Sequence, residues 1–174
     1  RVATMNVGSI SRKWDKVWNI INDNSIDVLC LQETRTTEEI SIGFITKARR
    51  EGWKVFVGDA VRLDGGNYAG GVITLSRWPM KRASSDLDNT YPHRCLSTWL
   101  PFKGRRPIRI SNIYLQCGTG PEEVREAVTL GENVLMEACN KGDDALVLGD
   151  WDRLPDELPA SQFIAGGMFN LACD

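Results

Sequence analysis

Apolar residues in the first 31 positions follow two spacings, which predict a strand, a helix and a second strand. Residues 2–7 form a short apolar run of strand length. Within residues 10–21 the apolar positions recur at steps of three and four, which places them on one stripe of a helix. Residues 26–31 are an almost unbroken apolar run, as in a strand buried on both faces. This order predicts a parallel pair of strands with a right-handed crossover.

The rest of the chain continues with helical and extended patterns. The segment FKGRR between two strand-like runs predicts a hairpin turn, and Pro121 with two glutamates after it is typical of a helix start. The whole pattern predicts an α/β fold with a mixed sheet in a single domain over residues 1–174. The predicted elements are a helix at 37–51, a strand at 53–57, a loop at 59–71, a strand at 72–75, three sheet segments within 81–115, a helix at 121–138, a strand at 145–148 and a helix at 155–165.

Composition restricts the class of protein more than its function. The 174 residues are 42% apolar and 25% charged, and the formal net charge is -2, so no overall positive field indicates nucleic acid or an anionic membrane as partner. The longest apolar runs are too short for a membrane span of about 20 residues. A soluble intracellular protein is predicted, with cytoplasm and nucleus equally open. Five scattered cysteines without a CxxC pair favour a reducing compartment: Cys30, Cys95, Cys117, Cys139 and Cys173.

Polar residues follow four of the apolar strands at the point where each strand ends. Asn6 ends the first strand, Glu33 follows the second, Tyr114 lies within SNIYL and Asp150 follows ALVLG. Ligand sites of α/β sheets gather at the carboxyl ends of strands, so these side chains are expected to converge. Carboxylates supported by Asn and Tyr suit Mg²⁺ and a phosphate, because hard cations prefer oxygen ligands and keep several waters.

Five segments in order resemble the signature blocks of the endonuclease/exonuclease/phosphatase superfamily: ATMNVG, DVLCLQETR, GGVITLSRWP, RISNIYL and LVLGDWDRLPDEL. LQET and the GD-x-[ND] block are the most specific of them. The LQETR block, together with GDWDRLPDEL and the ASxxxxxGG run after it, looks like endonuclease domains of retroelements.

This resemblance implies a four-layer α/β sandwich, two sheets face to face with helices outside, and a site at one end of the sandwich. It also implies Mg²⁺, with Mn²⁺ as a substitute, and DNA as substrate. The resemblance also implies roles for single residues, and neighbouring cleft positions are assigned with them. The metal ligands are expected to be Glu33 and Asp150, and the substrate contacts Arg35 and Trp151. The catalytic residues are expected to be Asn6, Tyr114, Asp150 and Asp152.

Two departures from the family pattern affect these expectations. Asp152 stands where the family usually has Asn, so an acceptor that repels phosphate replaces an amide donor. The family's late Ser-Asp-His block has no counterpart, which predicts that the chain is the N-terminal two-thirds of the domain, with cuts at both ends. The second sheet is then expected to lack most of its strands, and the chain alone to be weakly active or inactive and to self-associate.

Other conspicuous residues are predicted to have ordinary roles. His93, the single histidine, is interpreted as a solvated residue at a strand start. The basic turn formed by Lys103, Arg105 and Arg106 is interpreted first as a solubilising hairpin tip and second as a contact for a phosphate backbone. Trp78 is placed beside the cleft, where it could stack on a base or sugar.

Three functions remain open at this stage. The leading one is a magnesium-dependent phosphodiester hydrolase, a DNA endonuclease domain of a retroelement-like protein. The second is a phosphatase of the same superfamily acting on a phosphorylated lipid or small molecule, and the third is a catalytically inactive binding domain.

Overall fold

The structure, a computed structural model, describes residues 1–115, 121–140 and 144–151. Ten strands and four helices occur in these ranges. In chain order they are β1 (Val2–Asn6), α1 (Trp14–Asp23), β2 (Val28–Gln32), α2 (Ile42–Arg50), β3 (Lys54–Gly58), β4 (Val61–Arg62), β5 (Tyr68–Ala69), β6 (Val72–Ser76), β7 (Lys81–Arg82), α3 (Asp86–Thr90), β8 (Cys95–Leu100), β9 (Ile108–Tyr114), α4 (Pro121–Asn140) and β10 (Asp144–Asp150).

The strands form two four-stranded mixed sheets and one small hairpin. The first sheet has the order β1-β2-β6-β3, and the second has the order β10-β9-β8-β7. β1 pairs with β2 and β10 with β9 in parallel, whereas the other pairs are antiparallel. The predicted parallel pair β1–β2 and the mixed sheet are therefore confirmed. The expectation that the second sheet lacks most of its strands is wrong, because β7 to β10 already supply four.

Four apolar clusters lie between the four layers, and three of them contain most of the core. One cluster packs α1 and α2 on the first sheet, with the stripe residues Val17, Trp18 and Ile21 at its centre. A second lies between the sheets around Cys30 and Ile110, and a third lies under α4. The layers are therefore α1 with α2, the first sheet, the second sheet and α4, and this order confirms the four-layer α/β sandwich.

Several boundaries differ from those that the sequence pattern predicts. α2 begins at Ile42 rather than near residue 37, because Thr37 closes a separate turn in which its Oγ1 accepts a hydrogen bond from the Ile40 N–H at 3.2 Å. The predicted loop at 59–71 contains the β4–β5 hairpin. The first of the three sheet segments expected within 81–115, at about 82–87, ends at Arg82, since α3 follows. The predicted helix at 155–165 lies outside the described residues.

A buried pair of amides joins the two sheets. Gln32 at the end of β2 donates through Nε2 to Oδ1 of Asn112 in β9 at 2.6 Å. Nδ2 of Asn112 in turn donates to the backbone oxygens of Ile73 at 3.0 Å and Leu31 at 3.2 Å. Because buried polar groups are costly when unpaired, these bonds fix how the two sheets face each other near the ends of β2 and β9.

A second polar network lies beneath α4. Arg109 of β9 is 1% exposed, and its Nη2 lies 3.1 Å from Oε2 of Glu137 on α4 and 3.2 Å from the hydroxyl of Ser97. Glu137 also accepts a hydrogen bond from Ser85 at 2.8 Å, and Asp88 accepts one from the Ser97 N–H at 2.7 Å. Charged and hydroxyl groups therefore join α4, α3 and the second sheet.

The thiols of Cys30 and Cys95 are buried, and their surroundings disfavour the thiolate. Cys30 is fully buried, and this burial raises the pKa of its thiol to about 12. Burial and the neighbouring Asp88 also raise the pKa of Cys95 well above its usual value. Since the thiolate is the reactive form, neither residue suits nucleophilic chemistry.

No helix in the described ranges is both long and apolar enough to cross a membrane.

Candidate active site

The carboxyl ends of β1 and β10 meet across the two sheets. Asn6 is the last residue of β1 and Asp150 the last of β10, and Nδ2 of Asn6 donates to Oδ2 of Asp150 at 2.6 Å. Oδ1 of Asn6 accepts a hydrogen bond from the Gly8 N–H at 2.8 Å. With its oxygen held by the backbone, the Asn6 amide directs its N–H group at the carboxylate.

Register places the other two strand-end residues beside this pair. Asn6 is opposite Gln32, the residue before Glu33, and Asp150 is opposite Tyr114. The Tyr114 side chain is buried and packs between the sheets in a cluster with Val72 and Leu96. All four predicted strand-end positions therefore lie at one end of the sandwich.

Glu33 lies on a tight loop of unusual backbone geometry. Glu33 and Arg35 both have positive φ, 53° and 52°, a conformation that non-glycine residues adopt infrequently. The Arg35 guanidinium donates to Oε1 of Glu33 through Nε at 3.1 Å and also through Nη2. Arg35 is predicted to contact the substrate, and in the structure its partner is Glu33, the expected metal ligand.

Two glycines hold this loop in place. The carbonyls of Gly71 and Gly70 accept hydrogen bonds from the N–H groups of Thr34 and Arg35 at 3.0 and 2.8 Å. Gly71 has φ of +86°, and a Cβ there would lie 2.6 Å from Oγ1 of Thr34. This role was missed from the sequence, because residues 59–71 were predicted only as a loop. The doubled glycine directly before β6 was the available signal.

His93 differs from its interpretation as a solvated residue. It is half-buried, and its backbone oxygen accepts a hydrogen bond from the Gly71 N–H at 2.8 Å. Burial lowers the pKa of the His93 imidazole, and the Arg94 charge lowers it further, while Glu126 acts in the opposite direction. His93 therefore packs behind the loop that carries Glu33.

Two tryptophans were predicted to border the cleft, and the structure places one of them elsewhere. Trp151 is partly buried and packs on the apolar cluster under α4, a contact that does not itself support substrate binding. The placement of Trp78 beside the cleft is wrong. Ser76, two residues before it, is opposite Val28 at the start of β2, so Trp78 lies at the end of the sandwich away from Asn6. The sequence does not reveal that β6 is antiparallel to β2.

The donor set at this end fits a hard divalent cation. Glu33 and Asp150 offer carboxylate oxygens, and Mg²⁺ typically takes one or two carboxylates and keeps several waters. Among residues 1–115, 121–140 and 144–151 no group of three or more His, Cys, Asp or Glu residues could hold a metal, which is compatible with so sparse a site. Convergence of Glu33 and Asp150 on one cation stays a prediction, and Asp152 lies outside the described residues.

Comparison with known proteins agrees with this fold. Residues 3–170 match the model of the Endonuclease/Exonuclease/phosphatase family, so the chain belongs to this family. No curated protein matches the sequence.

Solved structures similar to the chain include an AP endonuclease, a 3′ phosphatase and an APE2 catalytic domain. An AP endonuclease from Archaeoglobus fulgidus is 20% identical, with a TM-score of 0.70, over 90% of this chain and 58% of its own. The 3′ phosphatase NExo from Neisseria, bound to a product DNA hairpin, is 18% identical with a TM-score of 0.64, over 85% and 56%. The Xenopus laevis APE2 catalytic domain is 16% identical with a TM-score of 0.65, over 94% and 66%. The chain thus spans less than two thirds of the length of each.

Proposed function

We propose that the chain is a phosphodiester hydrolase that uses Mg²⁺, with Mn²⁺ as a substitute, and acts on DNA. The observation that carries this proposal is the Asn6–Asp150 hydrogen bond where the ends of the two sheets meet. It fixes a carboxylate at the end of β10, opposite Tyr114 and at the same end of the sandwich as the partly exposed carboxylate of Glu33. The DNA hairpin in the Neisseria phosphatase structure supports a nucleic-acid substrate.

Each residue has a separate task in this proposal. Asp150 orients the attacking water and accepts its proton, and the Asn6 amide keeps the carboxylate in position. Tyr114 contacts the scissile phosphate, and Arg35 supplies positive charge to it. Glu33 and Asp150 would hold the cation, which when bound supplies further positive charge to the phosphate oxygens.

The retroelement assignment rests on the LQETR and GDWDRLPDEL blocks. Reverse-transcriptase motifs downstream in the same gene would support it. A PxWCDR-like block there would instead favour a phosphatase acting on a phosphorylated lipid or small molecule.

A second candidate, a catalytically inactive binding domain, is favoured by one specific contact. The Glu33 carboxylate is paired with Arg35, so a cation must displace a guanidinium before Glu33 can act as its ligand. The cation titration below distinguishes this candidate from the first.

Glu33→Gln is expected to weaken Mg²⁺ or Mn²⁺ binding, because it removes the negative charge of a ligand. Arg35→Gln is expected to strengthen binding, because it frees the carboxylate. Calorimetric titration of the three proteins measures both effects. Glu39→Gln, an exposed glutamate six residues further along the chain, is the matched control and should bind as wild type does. Equal binding by wild type and Glu33→Gln would remove Glu33 as a ligand.

We also expect the chain to associate with itself through β1 and β10. These strands are at the edges of their sheets within the described residues, and their apolar side chains Val2 and Leu146 are 43% and 38% exposed. Exposed edges with apolar side chains pair readily with other chains. Light scattering at increasing concentration should show an average mass above 19.4 kDa, and a monodisperse monomer at every concentration would contradict this.

A further inference from the structure

The end of the sandwich opposite Asn6 and Asp150 carries a concentration of cations and two exposed aromatic rings. Trp78 follows β6, and Phe102 follows β8, at the ends of these strands that are remote from the active site. We call this surface the basic end. It consists of Arg77, Trp78, Lys81, Arg82, Phe102, Lys103, Arg105 and Arg106.

The two aromatic side chains form an exposed pair. Trp78 is 48% exposed and Phe102 36%, and their ring centroids lie 6.4 Å apart with a 40° angle between the planes. This separation is close to twice the roughly 3.4 Å spacing of nucleotides along one strand. A small rotation of either ring would therefore admit one planar base between them.

The cations of the basic end are available to a ligand. Within the described ranges none of its six Lys and Arg residues forms a salt bridge, although the chain as a whole has a net charge of -2. Asp27 lies at the same end, where the amino group of Arg1, the charge of Arg77 and a hydrogen bond with Trp78 lower the pKa of its carboxyl. It is a single acidic group beside the six cations. The turn that carries Lys103 and Arg105 is closed by a hydrogen bond from the Arg105 N–H to the Phe102 oxygen at 3.3 Å, which keeps these charges beside the ring pair.

A groove continues the basic end along β3. It has a volume of about 440 Å³ and is lined in part by Arg49, Trp53 and Lys54. Arg49 differs from the cations of the basic end, because its Nη2 lies 3.9 Å from Oε1 of Glu38. The guanidinium of Arg77 lies over the Trp53 ring, 4.9 Å from its centroid, so a cation is held at the groove by an aromatic face. Positively charged side chains therefore extend from the ring pair to the groove beside β3.

We propose that the basic end binds single-stranded nucleic acid. Exposed rings beside a track of cations without salt bridges are the combination that such strands require, because bases stack on the rings and phosphates follow the charges. A duplex hides its base faces and could use only the cations. An anionic membrane would favour an amphipathic helix, whereas these rings lie on segments that follow strands. The surface gives the protein a contact with an unpaired strand that is separate from the proposed active site.

The test is fluorescence anisotropy with a labelled oligo(dT) of about 12 nucleotides, in EDTA so that no cation engages the active site. Trp78→Ala/Phe102→Ala is expected to weaken binding roughly tenfold or more, since stacking on one ring alone has about that effect. Arg105→Ala/Arg106→Ala is expected to reduce the slope of log K against log salt by about 1.4, because each phosphate that a cation neutralises adds about 0.7 to that slope. Circular dichroism checks that both variants fold, and both alter exposed residues.

Lys16→Ala/Lys47→Ala removes the same charge from exposed positions on α1 and α2 and serves as the matched control. It should change the affinity for oligo(dT) less than twofold. The proposal is overturned if wild type fails to bind oligo(dT), if a duplex of the same length binds as tightly, or if the aromatic double variant binds like wild type. Competition by phosphatidylserine-containing vesicles that matches competition by unlabelled oligo(dT) would also overturn it, in favour of a membrane contact. Failure of the active-site proposal leaves each of these outcomes unchanged, because all are measured without metal.

Discussion

Glu137→Ala is expected to lower the free energy of unfolding by about 3–5 kcal/mol, the usual effect of breaking a buried ion pair. Arg109 is 1% exposed and Glu137 17% on their side chains, so the substitution removes the carboxylate that faces a guanidinium inside the protein, beside hydroxyl and aromatic groups. For a domain of this length the midpoint of thermal unfolding should fall by roughly 6–20 °C. Denaturant and thermal unfolding both measure the loss.

Two further variants separate the charge from other effects of this substitution. Glu132→Ala makes the same change five residues earlier on α4, where no ion pair with a described residue is broken, and should alter the free energy of unfolding by less than about 0.5 kcal/mol. Arg109→Met/Glu137→Leu replaces the whole pair with apolar side chains and should recover most of the stability. A single variant as stable as wild type would show that water or another group compensates Arg109.

Asp150→Asn is expected to reduce phosphodiester hydrolysis by about a hundredfold or more, because a neutral amide cannot accept the proton of the attacking water. The Asn6 amide, which now donates to Oδ2, would face either an oxygen or an N–H group of the new side chain. Plasmid nicking with Mg²⁺ measures the effect. It applies to this chain and, where the gene continues beyond Asp174, to the extended protein.

Asp152→Asn makes the same change two residues further along the chain and is expected to raise the rate of phosphodiester hydrolysis. It restores the amide donor of the family pattern and removes a carboxylate that repels the substrate. One donor to the transition state can contribute roughly a hundredfold in rate. Unchanged or lower activity would show that Asp152 is itself used, for example as an additional metal ligand.

The residues that the sequence predicted best are those at the ends of apolar strands. Asn6, Glu33, Tyr114 and Asp150 could be predicted because a buried strand is readable as an apolar run and its last residue is then known to within one or two positions. The family resemblance supplied the roles, which composition and spacing do not contain. Helix α1 was predictable for the same reason, since its stripe is regular over three turns.

The features that the sequence did not reveal depend on contacts between distant segments. Asn112 and Arg109 lie within an otherwise strand-like run, and nothing in that run indicates that their partners are Gln32 and Glu137. Helix α3 has no apolar stripe from which it could be predicted, and its one buried residue is Asp88. The position of Trp78 required the direction of β6, which is set by pairing rather than by local pattern.

The candidate active site lies on edge strands, and this position affects the order in which parts of the protein unfold. In the described residues β1 and β10 each have a single strand neighbour, whereas β2, β6, β8 and β9 lie inside their sheets. Local opening begins where a strand is hydrogen-bonded on one side only, so amide protons of β1 and β10 should exchange with solvent before those of the inner strands. Asn6 and Asp150 would separate in those openings while the four layers stay intact. Mild heating would therefore abolish the active-site geometry at temperatures where the inner strands and the helices are still folded.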